Sequence, residues 1–231
     1  MIGVCVPSRG LVFSKTMESV VSGMSELGKL GIACRLFMSH DLPIPDSHNY
    51  CVERAFQDPS IDKILFIEED NYVFPDAFVA LATSPYDIAT LNYNDKNGFP
   101  KGIIHYNERG EIIWCGLGAT CIKREVFEKL GKPYFRTDTR YKITKKYEQD
   151  GKTVSEYEKI ENRKEWSEED LKVVEIKDPY KYGGLDIDFY TRARENGYSI
   201  TLLPEYKAHH FELIQLGEKH TNNGQHEIRQ V

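Results

Sequence analysis

Three consecutive acids, Glu68, Glu69 and Asp70, stand directly after the apolar run Ile64-Leu65-Phe66-Ile67. Carboxylates so close repel one another unless a cation sits among them. A solvated acidic turn is the plainer reading of the same residues, so the chemistry must be judged by what else the chain brings. Pro7-Ser8-Arg9-Gly10 follows the first apolar run and carries one cation and one hydroxyl. Gly116 and Gly118 would let backbone approach a ligand closely, or simply make a turn. Asp186 and Asp188 follow Gly183-Gly184. Acids in a first helical turn are favoured by the helix dipole alone, which gives both a structural alternative. His209 and His210 are adjacent, so on an extended chain they face opposite sides and one of them at most serves a given site.

The elements that must position these groups alternate between strand and helix. Ile2 to Val6 reads as a strand. Met17, Val20, Val21, Met24 and Leu27 recur at helical spacing, and Ile32 to Met38 reads as a second strand, giving a unit expected to lie in a parallel sheet. Asp46 or Ser47 would cap a second helix running to about Phe56. Lys63 to Glu68 suits a strand buried on both faces, with its acids at the carboxyl end where ligands of parallel sheets gather. Pro75 and Asp76 open a helix, and Asp87 to Asn92 reads as a strand. Residues 94–101 read as a polar loop at the edge of a lid. Asn107-Glu108-Arg109-Gly110 marks a hairpin, and a helix is expected near Arg124 to Leu130. From about 136 to 178 the composition shifts to 11 basic and 12 acidic residues. That stretch is expected to be a charged insertion, with a hairpin turning at Asp150-Gly151 and a helix start near Ser167. Its basic cluster is Arg140, Lys142, Lys145 and Lys146. A helix from about Asp186 to Asn196 and a strand from Tyr198 to Leu203 precede the histidines, and the polar stretch after Phe211 reads as a loose tail.

Length and composition bound the rest. At 231 residues, 40% hydrophobic and 29% charged, the chain has the make-up of a soluble globular protein, expected to form one domain over 1–231. Two halves are expected within it, 1–106 and 107–231. A net charge of −6 argues against a chain-wide nucleic-acid footprint. Five cysteines without a paired spacing suggest reduced thiols and a cytoplasmic location. No signal peptide and no membrane-length apolar run is evident.

Taken together, four blocks in order resemble the GT-A fold glycosyltransferases, in particular family-2-like members of phages and bacteria. They are Val6 to Gly10; His48-Asn49 with Leu65 to Asp70, Pro75 and Asp76; Gly116 to Ala119 through Arg124 to Phe135; and Gly184 to Phe189 through Arg194 to Tyr198 with His210. The resemblance implies an α/β domain with a mostly parallel central sheet flanked by helices. It implies transfer of a sugar from a nucleoside-diphosphate sugar, UDP-sugar favoured, to an acceptor hydroxyl with inversion. By that resemblance Asp186 is the general base; Asp70, with Glu68 and His210 or His209, holds Mn2+ or Mg2+; and Pro7, Ser8, Arg9, His48, Asn49, Glu68, Glu69, Gly116, Gly118 and Asp188 meet the donor. The chain departs from the pattern at Glu68, where Asp is usual, at His48, where Arg is usual, and at Leu185, where an acid is usual. The acceptor class implied is a polysaccharide, a protein or a hydroxymethylated DNA base. Two rivals remain, a nucleotidyltransferase of similar sheet and a non-catalytic module that binds sugar nucleotides or glycans.

Overall fold

The computed structural model describes residues 1–94, 104–137, 139–149, 152–162, 180–182 and 184–211. In chain order the elements begin β1 (Ile2–Val6), α1 (Ser14–Lys29), β2 (Cys34–Met38), α2 (Asp46–Ala55), β3 (Lys63–Ile67), β4 (Asn71–Val73), α3 (Pro75–Thr83) and β5 (Ile88–Asn94). The hairpin β6 (His105–Tyr106) and β7 (Ile112–Trp114) comes next, then β8 (Ala119–Lys123) and α4 (Arg124–Leu130). The long strands β9 (Thr139–Gln149) and β10 (Lys152–Asn162) follow, and the chain closes with β11 (Tyr180–Tyr182), α5 (Leu185–Glu195) and β12 (Ile200–His210).

A seven-stranded sheet runs in the order β2-β1-β3-β8-β5-β12-β4. β1 pairs in parallel with β2 and β3, and β5 with β12, whereas β8 and β4 are antiparallel to their neighbours. The sheet is therefore mostly parallel. Ile64 to Ile67 in β3 are fully buried, as a strand covered on both faces requires. Their side chains alternate between two layers. Ile64 and Phe66 pack with residues of α2, α4 and α5, whereas Leu65 and Ile67 pack with residues of α1 and α3. The α1–α3 contact depends on Gly23, since a Cβ there would strike the Phe78 ring. A second sheet, β11-β9-β10-β6-β7, holds the charged hairpin beside the β6–β7 hairpin.

Four differences from expectation have physical causes. Asp46 is the first residue of α2 rather than its cap, and the cap position is Pro45, with no side-chain hydrogen bond to the helix start. β4 lies hidden in the sequence because its three residues follow the acids at once. α5 begins one residue early, at Leu185. β12 continues past Leu203 through Pro204 to His210; its ladder with β5 breaks between Leu202 and Lys207, where a proline is tolerated. The lid edge expected at 94–101, apart from Asn94, the turn at Asp150-Gly151, the helix start near Ser167 and the tail after Phe211 lie outside the described residues. Among the described residues no helix is long and apolar enough to cross a membrane.

Candidate active site

The carboxyl ends of β1 and β3 carry the first part of the site. β1 leaves the sheet into Pro7 and Ser8, and this loop is laced to the end of β2. The Ser8 N–H donates to the Ser39 hydroxyl at 2.8 Å, and that hydroxyl donates back to the Ser8 carbonyl at 3.1 Å. The Ser8 hydroxyl accepts from the Gly10 N–H at 3.1 Å, which closes the loop with Arg9 at its apex. Beyond β3, a turn from Glu68 to Asn71 presents the acids. The Glu68 N–H donates to the Gly118 carbonyl at 3.2 Å and the Asn71 N–H to the Glu68 carbonyl at 3.0 Å.

Each acid has its own partner. Glu68 Oε1 lies 3.2 Å from His48 Nε2. Glu69 accepts from Arg9 twice, from the backbone N–H and from Nε at 2.7 Å each, and its Oε1 also pairs with Nη2 at 2.5 Å. Asp70 Oδ1 accepts from the Asn71 amide at 3.0 Å, and Asp70 Oδ2 lies 3.5 Å from His210 Nε2. Burial pushes the Asp70 carboxyl up, and Glu68 and Glu69 push it further the same way, while His210 opposes them. The Asp70 backbone also holds the far end of the chain, because its carbonyl accepts from the Phe211 N–H at 2.7 Å.

The two adjacent histidines part company. His210 pairs in register with Asn71, beside Asp70, whereas the His209 ring packs edge-on to Phe74 at 5.5 Å. The structure thus brings His210, and not His209, to the acids. His48 is 2% exposed, set between Phe66 and Phe135, with its Nδ1 against the Ser47 hydroxyl. Asn49 is turned inward as well: its amide exchanges two hydrogen bonds with the Phe135 backbone, at 2.9 and 3.0 Å. Its side chain ties α2 to the segment after α4.

Gly118 backs directly onto the acids. A Cβ there would strike the Asn71 amide and come within 2.7 Å of Glu68 Oε2. The Gly116 carbonyl is capped from inside by the hydroxyls of Tyr93, Thr120 and Tyr190. On the far side α5 contributes Asp186 in its first turn. Burial pushes its carboxyl up to about 6, against the N–H of Ile187 that holds it at 2.9 Å; nearby Glu68 raises it and His48 lowers it. Asp186 and Glu68 are therefore near enough for each charge to be felt by the other. Asp188 differs: at 1% exposure it is gripped by Arg136 and, at 2.8 Å, by Arg192. Its carboxylate anchors α5 from within and is already spent on two guanidiniums.

A cavity of about 500 Å³ opens over the Arg9–Glu69 clamp and the Asp70–His210 pair, with Leu11, Phe13 and Phe211 also in its lining. A smaller hollow of about 60 Å³ lies against Ile44, Ser47, His48 and Glu68 and shares Arg9, Glu69 and Asp70 with it. A larger groove of about 780 Å³, walled by Leu30, Val79 and Leu203 among others, shares no lining residue with either.

Asp70 and His210 offer a hard oxygen and an imidazole nitrogen, donors that first-row divalent ions accept. Their 3.5 Å gap is longer than a direct hydrogen bond prefers and suits two donors of one ion. No group of three His, Cys, Asp or Glu side chains is placed to hold a metal among the described residues. The pair therefore fits a cation that takes most of its ligands from a phosphate-bearing substrate and water, as Mg2+-type sites do, and not a closed protein cage.

With this geometry in place, comparison with solved structures becomes informative. A197 from STIV superposes with a TM-score of 0.54 at 19% identity, over 91% of this chain and 85% of that one. GalNAc-T7, solved with UDP, GalNAc and Mn2+, gives 0.47 at 10% identity, over 92% of this chain and 43% of that one. The catalytic domain of Drosophila beta1,4galactosyltransferase 7, in complex with xylobiose, gives 0.43 at 14% identity, over 87% and 63%. The fold shared with A197 is an α/β domain whose mostly parallel central sheet is flanked by helices. At these identities the likeness is one of fold. No family model and no curated protein matches the sequence.

Sequence reasoning missed three features of this site. They are the Arg9–Glu69 clamp, the Asn71 side-chain amide oxygen, which is buried without a hydrogen-bond partner, and the two arginines on Asp188. Only the Arg192–Asp188 spacing of four residues along a helix was a usable signal; the other partners are too far apart in sequence.

Proposed function

We propose that the chain is a metal-dependent glycosyltransferase. It moves a sugar from a nucleoside-diphosphate sugar, UDP-sugar favoured, to an acceptor hydroxyl with inversion. The observation that carries this reading is the meeting of Asp70 from mid-chain with His210 from β12 at 3.5 Å, beside a cavity of ligand size. Asp70 and His210 would hold Mn2+ or Mg2+, with Glu68 near the ion or the ribose. When bound, such an ion neutralises the negative charge that builds on the departing diphosphate.

The chain's own groups do the rest. Arg9 stands at the mouth of the cavity to meet the diphosphate, and the Ser8 loop orients it. Gly118 lets the acid turn pack against its backbone, which holds Glu68 in place at the site. Asp186, with its carboxyl raised to about 6, is ionised at neutral pH and basic enough to take the acceptor hydroxyl's proton. The acceptor oxygen bonds to the anomeric carbon as the bond to the diphosphate breaks on the opposite face. Base and leaving group on opposite sides give inversion, as in the two-sided geometry of inverting glycosidases. Acceptors to be tried are a polysaccharide, a protein and a hydroxymethylated DNA base; Arg140, Lys142, Lys145 and Lys146 fall on β9.

The test is hydrolysis of a panel of UDP-sugars with and without Mn2+. Release of UDP that needs both the metal and Asp70 is expected. Binding without any turnover, across the panel and with acceptors added, would make the chain a sugar-nucleotide binder instead.

A further inference from the structure

Arg9 and Glu69 form the tightest polar cluster at the mouth of the cavity. The Arg9 guanidinium sets Nε and Nη2 against one oxygen of the carboxylate, Oε1, at 2.7 and 2.5 Å, and the Arg9 backbone N–H donates to the other, Oε2, at 2.7 Å. Such charge-assisted contacts from backbone N–H and guanidinium are also those with which arginine receives phosphate. The Glu69 backbone cannot follow its side chain, because its carbonyl accepts from the Phe13 N–H and the Thr16 hydroxyl, both at 3.0 Å. The Glu69 side chain is 13% exposed and that of Arg9 is 60% exposed, so the carboxylate is held in the wall while the guanidinium can leave. Arg9 lines both the large cavity and the small hollow, and it stands between them. Without a metal ion, Arg9 is the resident cation of a turn bearing three adjacent acids.

We infer that Glu69 occupies, as an internal surrogate, an anion site that Arg9 builds for the donor's diphosphate, and that substrate binding exchanges one for the other. The inference rests on the glycosyltransferase reading for the identity of the anion. A divalent ion on Asp70 takes over the charge that Arg9 balances. The guanidinium then turns from Glu69 to the phosphate oxygens. Glu69 is thus a positioning residue that restrains Arg9 and competes with the ligand.

The sign of one substitution decides the matter. A residue that touches the donor, or that merely supports Arg9, weakens binding when it is altered; a competing surrogate strengthens it. Affinities for UDP and, separately, for inorganic pyrophosphate are measured by calorimetry with Mn2+ present. Glu69→Gln keeps the shape and loses the charge, and it should tighten both ligands about three- to tenfold, by the fraction of time Arg9 is otherwise tied. Arg9→Ala should weaken both by roughly tenfold or more, the loss of a charge-assisted contact. In the Arg9→Ala background Glu69→Gln should give no gain, and Arg9→Lys should fall between Arg9→Ala and the parent. Melting curves on each variant keep the comparison to folded protein. Weaker or unchanged binding in Glu69→Gln overturns the exchange while leaving the glycosyltransferase reading intact. Pyrophosphate that follows the expected order while UDP does not bind keeps the anion site and removes the donor assignment. Failure of both ligands to bind the parent protein removes both.

Discussion

At the scale of single residues, the assignments differ in what surrounds each carboxylate. Asp70 shares its oxygens between an amide and an imidazole, Glu69 is clamped by arginine, and Asp188 is buried between two guanidiniums. Among these acids Asp186 combines a raised proton affinity with a place in a helix's first turn. A base must be ionised to act. Its carboxyl lies at about 6, so turnover should rise with pH through that value and level off above it. Asp186→Asn should cut turnover by about a hundredfold or more and erase that acidic limb, with UDP affinity nearly unchanged. A rate profile measured from pH 5 to 8 on both proteins reads this out; a limb that survives in the variant would take the base role from Asp186.

At the scale of elements, the site depends on how α5 is seated. Its first turn carries Asp186, and two residues on, Asp188 points inward to Arg136, which precedes the charged hairpin, and to Arg192, one turn along the helix. An ion pair broken on one side leaves buried charge uncompensated. Asp188→Ala should therefore lower stability by about 3 to 5 kcal/mol in denaturant titration. Activity per folded molecule should fall too, since the base rides on the same helix. Asp188→Ala melting like the parent would mean that the arginines re-solvate freely. β4 plays the complementary part on the other side: its pairing with β12 sets His210 opposite Asn71 and so beside Asp70.

At the scale of the molecule, residues 9, 70, 186 and 210 come from β1's loop, β3's turn, α5 and β12, so a ligand that bridges them ties the whole sheet together. Binding to the native state alone raises stability with ligand concentration, by about 2.7 kcal/mol at a hundred times Kd. Mn2+ with UDP should raise the melting temperature of the parent and of His209→Ala, but much less that of Asp70→Ala or His210→Ala. An equal rise in all four would place the ion elsewhere. The seven-stranded sheet makes this convergence possible, because β12 inserts between β5 and β4 and returns the end of the described chain to the acids of its middle.

The sequence by itself determined the elements and their chemistry. The continuous apolar run of β3, the helical spacing in α1, the hairpin at residues 107–110 and the order of acids and histidines all follow from local pattern, which is set by backbone geometry and burial. Only the tertiary structure decided between equivalents. It put His210 rather than His209 beside Asp70, because strand pairing fixes which face each side chain takes. It turned Asp188, His48 and Asn49 inward, and it set Arg9 on Glu69, sixty positions further along the sequence. Such contacts belong to no local period, so only the closed sheet could reveal them.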